Sequence, residues 1–219
     1  MNLAKLSVSV LVVISSFVPH AVAQVGKDSG LWEFVECDPQ LETALVVVRG
    51  NGNGGTGTGC IIEGQAVLTA AHVTDGNQSF TVSFHDGSAN ANATLRSADR
   101  EADVAILNCQ TPEGCSVLGV AQPVEGEEVS VCGFGGGQGL RCFKSKVAAV
   151  GEKSMVLLSY AIPGDSGGPV INAKKQVVAV VSGGSVWAKR KIKSAAGTVH
   201  SITAPIRAGL VGKVRQVLN

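Results

Sequence analysis

Short β-branched segments separated by turn residues recur along almost the whole chain, and this pattern constrains the fold more than any other feature. Such segments fall at positions 44–49, 60–62, 66–73, 80–84, 93–96, 102–107, 129–132, 143–150, 156–158, 170–171, 177–181 and 198–202. Gly, Pro, Asn and Asp cluster between them, as they do in the turns that join antiparallel strands. Strands of this length and spacing predict an all-β protein.

The pattern divides the chain into two halves and a tail. A stretch rich in Pro and Gly, at 110–126, interrupts the strands, so we place a boundary near Leu118 and expect β domains at 41–118 and 119–203. Beyond it, Pro205 suits the first position of a helix. Four apolar residues then recur at helical spacing, namely Ile206, Leu210, Val214 and Leu218. The sequence therefore predicts a closing amphipathic helix over 204–219, although two glycines in it weaken the pattern.

The N-terminal residues have the pattern of a secretory signal peptide. Lys5 precedes an apolar run at 6–17, and Ala21-Val22-Ala23 forms a cleavage site of small residues. The run is shorter than the roughly 20 residues that span a membrane, so we expect no transmembrane segment. We predict a signal peptide at 1–23, a lead or short pro-segment at 24–40, and export to a periplasm or out of the cell.

The cysteines indicate disulfide bonds rather than a metal site. Six cysteines all follow the predicted signal peptide: Cys37, Cys60, Cys109, Cys115, Cys132 and Cys142. An even number in an exported chain favours disulfides, and six cysteines allow fifteen pairings. The chain has no Cys-x-x-Cys and no His-Glu-x-x-His pattern, so we expect neither a metal nor a cofactor.

One serine lies in a loop that suits a nucleophile. Ser166 is enclosed by Gly164, Gly167 and Gly168 within the segment PGDSGGPV at 163–170. Glycines let backbone N–H groups converge beside an exposed hydroxyl, as acyl transfer requires. The alternative is an ordinary loop, because Gly, Pro, Asp and Ser are the usual turn formers.

A nucleophilic serine needs a base and a carboxylate that orients the base. His72 follows small residues, which leave space for its ring to face a cleft. Asp103 lies within an apolar run, where a carboxylate needs a hydrogen-bond or charge partner. His20 belongs to the signal peptide, and we interpret His85, beside a turn, and His200, in a cationic stretch, as ordinary histidines.

The order of these residues along the chain excludes one class of hydrolase. The spacing Gly164-x-Ser166-x-Gly168 also fits the nucleophile elbow of α/β-hydrolases, in which the acid and then the histidine follow the serine. No Asp or Glu follows Ser166 in this chain. The acid must therefore precede the serine, which leaves the order His72, Asp103, Ser166.

Three segments in that order resemble the signatures of the chymotrypsin/trypsin-like serine proteases: LTAAH at 68–72, DVAIL at 103–107 and GDSGGP at 164–169. The resemblance implies two six-stranded antiparallel β-barrels with the active site between them. It implies that His72 is the general base and then acid, that Asp103 orients it, and that Ser166 attacks the scissile carbonyl of a polypeptide. The N–H groups of Gly164 and Ser166 would form the oxyanion hole. The expected function is that of a secreted serine endopeptidase that works through an acyl-enzyme.

The resemblance also implies where the substrate binds. Ser182, Gly183 and Gly184 match the substrate-binding strand, in which Ser182 supports the catalytic aspartate and Gly184 pairs with the substrate backbone. The floor of the specificity pocket would lie around Tyr160. No acidic residue is present there, so we hypothesise a preference for a neutral side chain, apolar ones included, rather than for Arg or Lys.

The resemblance further favours particular partners for the cysteines and for the aspartate before the serine. It implies a bridge between Cys37 and Cys142; Cys109 with Cys115 would then close a short loop and leave Cys60 with Cys132, while a local bridge between Cys132 and Cys142 is the rival. Many relatives pair that aspartate with a newly cut N-terminus. No convincing cleavage motif is present upstream here, so Asp165 can instead pair with an internal cation such as Arg141.

Charge is distributed unevenly, although the formal net charge is only +1. After Ser166 the chain has nine basic residues and no acidic one. We favour a solvated face over a surface for an acidic partner at Lys189, Arg190, Lys191 and Lys193.

We expect a monomer without a specific nucleic-acid partner. A catalytically weak, protease-like binding protein that uses this cationic face is the alternative function, and the intact triad argues against it.

Overall fold

The computed structural model describes residues 33–52, 55–84, 89–137, 139–159, 161–184, 189–194, 197–202 and 205–210. The described chain begins with a short strand, β1 (Glu33–Val35), and one helical turn, α1 (Pro39–Glu42). Asp38 caps this turn by accepting a hydrogen bond from the Gln40 N–H at 2.9 Å. The described chain contains no helix that is long and apolar enough to cross a membrane.

The first half forms a closed β-barrel. Its six strands are β2 (Leu45–Gly50), β3 (Thr56–Ile62), β4 (Ala66–Thr69), β5 (Ser79–Phe84), β6 (Asn90–Asp99) and β7 (Val104–Cys109), which pair in the order β2-β3-β4-β7-β6-β5. Alternate residues fill the interior, as the period of a strand requires: Val46 and Val48 are completely buried in the core of the barrel, whereas Val47 and Arg49 belong to the opposite face.

The second half forms an eight-stranded sheet with β1. Its other strands are β8 (Gly119–Val120), β9 (Glu128–Gly133), β10 (Arg141–Val150), β11 (Ser154–Leu158), β12 (Pro169–Asn172), β13 (Gln176–Gly184) and β16 (Pro205–Leu210). Because β9 pairs with both β12 and β10, the path β9-β10-β11-β16-β13-β12 closes on itself. The remaining strands, β14 (Lys189–Ser194) and β15 (Gly197–Ile202), pair only with each other among the described residues. The prediction of an all-β protein is thus confirmed.

One buried cluster joins the barrel to the second sheet. Leu45 and Leu68 of the barrel belong to the same cluster as Ile171 and Val180 of the sheet. Each such side chain contributes roughly 1.5–3 kcal/mol when it is fully buried. The two halves therefore share a core.

The predicted C-terminal helix is wrong where the structure can be compared with it. Residues 205–210 form strand β16, which pairs with β11 on one side and with β13 on the other. The backbone hydrogen bonds of two neighbouring strands outweigh a helical spacing that Gly209 already weakens. The predicted helix residues 204 and 211–219 lie outside the described residues.

The N-terminal predictions are covered only in part. The predicted signal peptide and residues 24–32 lie outside the described residues. The rest of the predicted lead is folded: β1 pairs with β10, and Cys37 is bonded to Cys142 with a Cα–Cα distance of 5.5 Å. This part of the lead is therefore built into the second sheet.

Candidate active site

His72 is placed by the end of strand β4. The strand stops at Thr69, and a 3₁₀ turn at Ala71–Thr74 carries the histidine. The Thr69 hydroxyl donates to the Thr58 carbonyl at 2.7 Å, and the Thr74 hydroxyl donates to the Ala71 carbonyl at 2.7 Å. Both bonds fix the turn, while the His72 side chain keeps 41% of its surface exposed. Its ring can therefore meet a ligand.

Asp103 holds His72 at two points. It lies in the turn just before β7, with φ of 58°, a left-handed conformation that aspartate tolerates better than most residues. Its Oδ1 accepts from the His72 backbone N–H at 2.9 Å, and its Oδ2 lies 2.8 Å from His72 Nδ1. The Ser182 hydroxyl also donates to Oδ2. An ionised carboxylate only accepts, so Nδ1 carries the proton and Nε2 of the neutral ring is an acceptor.

These contacts raise the pKa of His72 and lower the pKa of Asp103. The hydrogen bond to Asp103 raises the pKa of His72 above 6.5; burial opposes this, and the charges of Asp103 and Asp75 add to it. Burial raises the pKa of Asp103, but the hydrogen bonds from His72 and Ser182 together outweigh it, so the pKa is lowered. The pair is thus arranged to stabilise an imidazolium beside a carboxylate.

The loop that carries Ser166 is docked on the strands that lead to His72. The Thr58 N–H donates to the Ser166 carbonyl at 2.8 Å, and the Gly167 N–H donates to the Val181 carbonyl at 2.7 Å. Gly167 has φ of 82°, and a Cβ there would collide with the Thr58 carbonyl oxygen and the Thr69 hydroxyl. Only glycine fits this close approach, which brings the serine loop against the segment preceding His72.

Two backbone N–H groups in this loop remain available to an anion. The Pro163 carbonyl accepts from the Gly136 N–H at 3.0 Å, and the Gly164 carbonyl accepts from the Thr58 hydroxyl at 2.7 Å. Because C=O and N–H of a trans peptide point in opposite directions, the Gly164 N–H points away from Gly136. Within the described residues, the N–H groups of Gly164 and Ser166 donate to no protein acceptor.

Asp165 is paired with an internal cation. Arg141 Nη2 lies 2.9 Å from its Oδ1 and 3.1 Å from its Oδ2. The N–H groups of Gly135 and Ile162 donate to the same carboxylate at 2.7 Å and 2.9 Å. The Arg141 side chain is 13% exposed and that of Asp165 is 4% exposed. A buried carboxylate needs such partners, and these four bonds fix the loop on which the two free N–H groups depend.

The predicted substrate strand has one edge that no other described strand occupies. Strand β12 pairs with β13 only as far as Val180, whereas Gly183 and Gly184 pair on the other edge with β16. A Cβ at Gly183 would meet nothing within 4 Å, so the space beside it is open. Tyr160, predicted near the pocket floor, lies outside the described residues. Its neighbour Ser159 is buried, and its hydroxyl has no partner among the described residues.

Among the described residues, His200 and the predicted cationic segment lie on two strands that pair with each other. His85 lies outside the described residues. His200 lies on β15, opposite Lys191 of β14. Strand β14 carries the four residues predicted to meet an acidic partner, namely Lys189, Arg190, Lys191 and Lys193.

One of the predicted disulfide bridges is present among the described residues. The structure contains the bridge between Cys37 and Cys142 that the resemblance implies. The structure forms no disulfide at the other four cysteines, namely Cys60, Cys109, Cys115 and Cys132. Burial raises the pKa of Cys132 to about 12 and that of Cys109 to about 11. The Cys132 sulfur lies 2.7 Å from that of Cys142, so the rival partner is also close.

Sequence reasoning missed Thr58. Besides its bonds to Gly164 and Ser166, its hydroxyl accepts from the Phe134 N–H at 3.0 Å. The residue lies in a glycine-rich segment that looks like a loop, and no local pattern separates a structural threonine from any other there. Its role depends on contacts with residues 76 and 106 positions away.

Comparisons with known proteins find similarity to peptidases. The family model described as "Trypsin-like peptidase domain" matches residues 57–180. Serine protease Rv3671c of Mycobacterium tuberculosis is 32% identical over an alignment of 146 residues that covers 59% of this chain. This chain spans only 36% of the length of that relative.

The fold is shared with solved proteases. The crystal structure of the active form of Rv3671c matches with a TM-score of 0.64 and 23% identity, covering 100% of this chain and 93% of that one. The serine endoprotease from Yersinia pestis matches with a TM-score of 0.64 and 17% identity, covering 84% of this chain and 68% of that one. At these identities the likeness shows a common fold.

Proposed function

The chain belongs to the trypsin-like peptidase family, and from this premise we propose that it is an endopeptidase that cleaves polypeptides with His72, Asp103 and Ser166. The observation that carries the proposal is that Asp103 accepts two hydrogen bonds from His72, one from the backbone N–H and one from Nδ1. The serine loop is docked on the same part of the barrel. Such an arrangement orients the imidazole and leaves its Nε2 free to act as a base.

The proposed reaction proceeds through an acyl-enzyme. Nε2 of His72 takes the proton of the Ser166 hydroxyl as its oxygen attacks the scissile carbonyl carbon. The N–H groups of Gly164 and Ser166 stabilise the resulting oxyanion, and Asp103 stabilises the imidazolium. His72 then gives the proton to the departing amine. A water molecule, activated by the same histidine, hydrolyses the acyl-enzyme and regenerates the serine.

We propose that the substrate backbone before the scissile bond adds to the free edge of β13 at Ser182, Gly183 and Gly184. The open space beside Gly183 and the unpaired edge support this mode of binding. The segment expected to form the pocket floor, at 159–161, contains no acidic residue, and its buried Ser159 is uncharged, which supports a neutral residue before the bond. Export also remains a proposal, and it rests on the signal-peptide pattern at 1–23.

The test compares the wild type with Ser166→Ala in hydrolysis of an unfolded protein such as reduced casein, together with labelling by an organophosphate. Wild type is expected to cleave and to be labelled at Ser166, and Ser166→Ala is expected to lose roughly 10⁶-fold in activity and all labelling. Ser130→Ala, on β9, is the matched control and should retain both. If folded, processed wild type neither cleaves nor is labelled, the proposal fails and the binding-protein alternative replaces it.

The residues before the cleaved bonds test the proposed preference. Mass spectrometry of the casein digest is expected to find neutral side chains at that position, because no carboxylate is available to pair with a cation. Cleavage confined to bonds after Arg and Lys would contradict this part of the proposal and leave the catalytic mechanism intact.

A further inference from the structure

A cleft of about 470 Å³ opens beside the serine loop, between the barrel and the second sheet. Gly164 and Pro163 line one end of it, and Val47, Arg49 and Gly57 line the barrel side. The proposed mechanism uses only the Gly164 end. The rest of the cleft is therefore available to another part of the substrate.

The register of the barrel strands leads from the serine loop to Arg49. Val47 pairs with Thr58, whose hydroxyl binds the Gly164 carbonyl, and Arg49 pairs with Thr56 two residues further along. Val47 and Arg49 share the outer face of β2, since the residues between and before them fill the barrel core. Two residues of a strand span about 6.6 Å, so Arg49 lies roughly two residues of extended chain from the position where Thr58 holds the loop of the proposed oxyanion hole.

The position of the cleft identifies which part of the substrate enters it. Strand β13, which would bind the residues before the scissile bond, contacts the loop through Val181 and Gly167. No residue of β13 lines the cleft, whereas Gly57 and Gly164 do. The cleft therefore receives the residues that follow the scissile bond.

Arg49 supplies the charge in this cleft. It is the sole charged residue among those that line it in the described part of the chain. Its Nη1 donates to the Ser83 hydroxyl at 2.9 Å, which orients the guanidinium and leaves other N–H donors free. A guanidinium held in this way binds carboxylates with paired hydrogen bonds.

We propose that Arg49 determines specificity by binding a carboxylate at the second residue after the scissile bond. This inference rests on the proposed protease activity and deepens it. The carboxylate can belong to an acidic side chain or to the end of the substrate chain, because both present the same two oxygens. The preference weakens as salt is added, since the guanidinium is solvent-exposed.

The test uses synthetic peptides built on one cleavage site mapped in casein. Three of them differ only in having Glu, Gln or Lys as the second residue after the scissile bond. Two shorter ones end at Gln in that position, with a free carboxylate or with an amide. For wild type we expect kcat/KM to fall about two- to fivefold from Glu to Gln and again from Gln to Lys. A gain for the free carboxylate over the amide would identify the chain end as a second source.

Variants assign the preference to Arg49. Arg49→Gln should make the Glu, Gln and Lys peptides equivalent, and Arg49→Glu should favour Lys. Lys146→Gln, an exposed cation on β10, is the matched control and should keep the wild-type preference. Equal rates for all peptides with wild type, or a preference that survives Arg49→Gln, would overturn the inference alone. Absence of hydrolysis of every peptide would overturn the proposed function as well.

Discussion

Asp103 determines how His72 titrates, and this coupling has a measurable consequence. The hydrogen bond from the ring to the carboxylate raises the pKa of His72. A general base must be neutral, so activity falls as pH decreases through this raised pKa. The same shift stabilises the fold fully below pH 6.5, and this contribution is lost as pH rises through the folded pKa.

The pH profile of kcat/KM tests this coupling. We expect wild type to show a rising limb above pH 6.5, the ordinary pKa of histidine. Asp103→Asn should move the limb to lower pH, because the ring loses its charged partner, and should lower kcat by about 10⁴-fold because the tautomer is no longer fixed. A limb that stays in place in Asp103→Asn would show that the carboxylate does not control the titration of His72.

Arg141 is expected to matter for both stability and activity. Removing one partner of a buried ion pair leaves the other charge uncompensated, at a cost of about 3–5 kcal/mol. Arg141→Gln should therefore lower the free energy of unfolding in urea by that order and reduce kcat more than it raises KM, since Asp165 fixes the loop with the free N–H groups. Arg141→Lys should restore part of both losses.

An exposed ion pair provides the control for Arg141. Arg100 pairs with Asp75, and their side chains are 65% and 51% exposed. Because solvent screens such a pair, Arg100→Gln should change the free energy of unfolding by no more than about 1 kcal/mol. Equal losses in Arg100→Gln and Arg141→Gln would contradict a special role for the buried pair.

The sequence singles out candidate catalytic residues more readily than the residues that support them. His72, Asp103 and Ser166 stand out because few residue types can do this chemistry and because no carboxylate follows the serine. The structure places Asp103 against His72, and the catalytic roles of all three stay a proposal. Thr58 could not be found, because a structural threonine resembles every other one until the strands that it joins are known. The sequence likewise shows Arg49 only as a cation within a predicted strand, and its position beside the cleft follows from the strand register.

At the scale of elements, strands were easier to predict than the tail. Strand β5 alternates buried and more exposed residues over all six of its positions, which is a local signal. The spacing of Ile206 and Leu210 suggested a helix, but β16 is defined by β11 and β13, which are distant in sequence. Pairing between distant strands has no local sequence pattern, so the helical spacing of apolar residues gave a wrong prediction for 205–210.

Gly167 in the serine loop is required both for its positive φ and for the close contact at its Cα, and Gly114, outside this loop, separates the two effects. Gly167 combines a positive φ of 82° with atoms that a Cβ would overlap. Gly114 has a similar φ of 85°, but a Cβ there would meet nothing within 4 Å. Gly114→Ala should therefore show backbone strain alone, of about 1–2 kcal/mol.

Gly167→Ala should show steric overlap in addition to strain. We expect it to lower the free energy of unfolding by more than Gly114→Ala does, and to lower kcat because the loop must move away from Thr58. Urea unfolding and steady-state kinetics of the two variants check this directly. If the two variants behave alike, the close docking of the serine loop on the barrel is not required.

At the scale of the whole molecule, a barrel and a second sheet share one buried core. The sequence shows which residues are apolar, but not that Leu45 and Val180 belong to one cluster. That joint core explains why the site depends on both halves. His72 and Asp103 come from the barrel, whereas the Ser166 loop and Ser182 come from the second sheet.

The bridge between Cys37 and Cys142 closes a separation of 105 residues and ties β1 to the second sheet. Closing so long a loop restricts the unfolded chain, which stabilises the folded state by about 2–5 kcal/mol. Cys132 lies beside Cys142, so in a protein without Cys37 an oxidant can join these two thiols into a new bridge. The effect of the bridge must therefore be measured with Cys132 removed.

We expect Cys37→Ser in a Cys132→Ala background to unfold at a lower urea concentration than Cys132→Ala alone, with a loss of about 2–5 kcal/mol. The two proteins share any defect caused by the missing Cys132 thiol, so their difference isolates the bridge. Equal midpoints would show that β1 is held by strand pairing without help from the disulfide. A disulfide map of wild type should recover Cys37 linked to Cys142. The same map decides whether Cys60 bonds to Cys132 and Cys109 to Cys115 in the purified protein, since the structure joins neither pair.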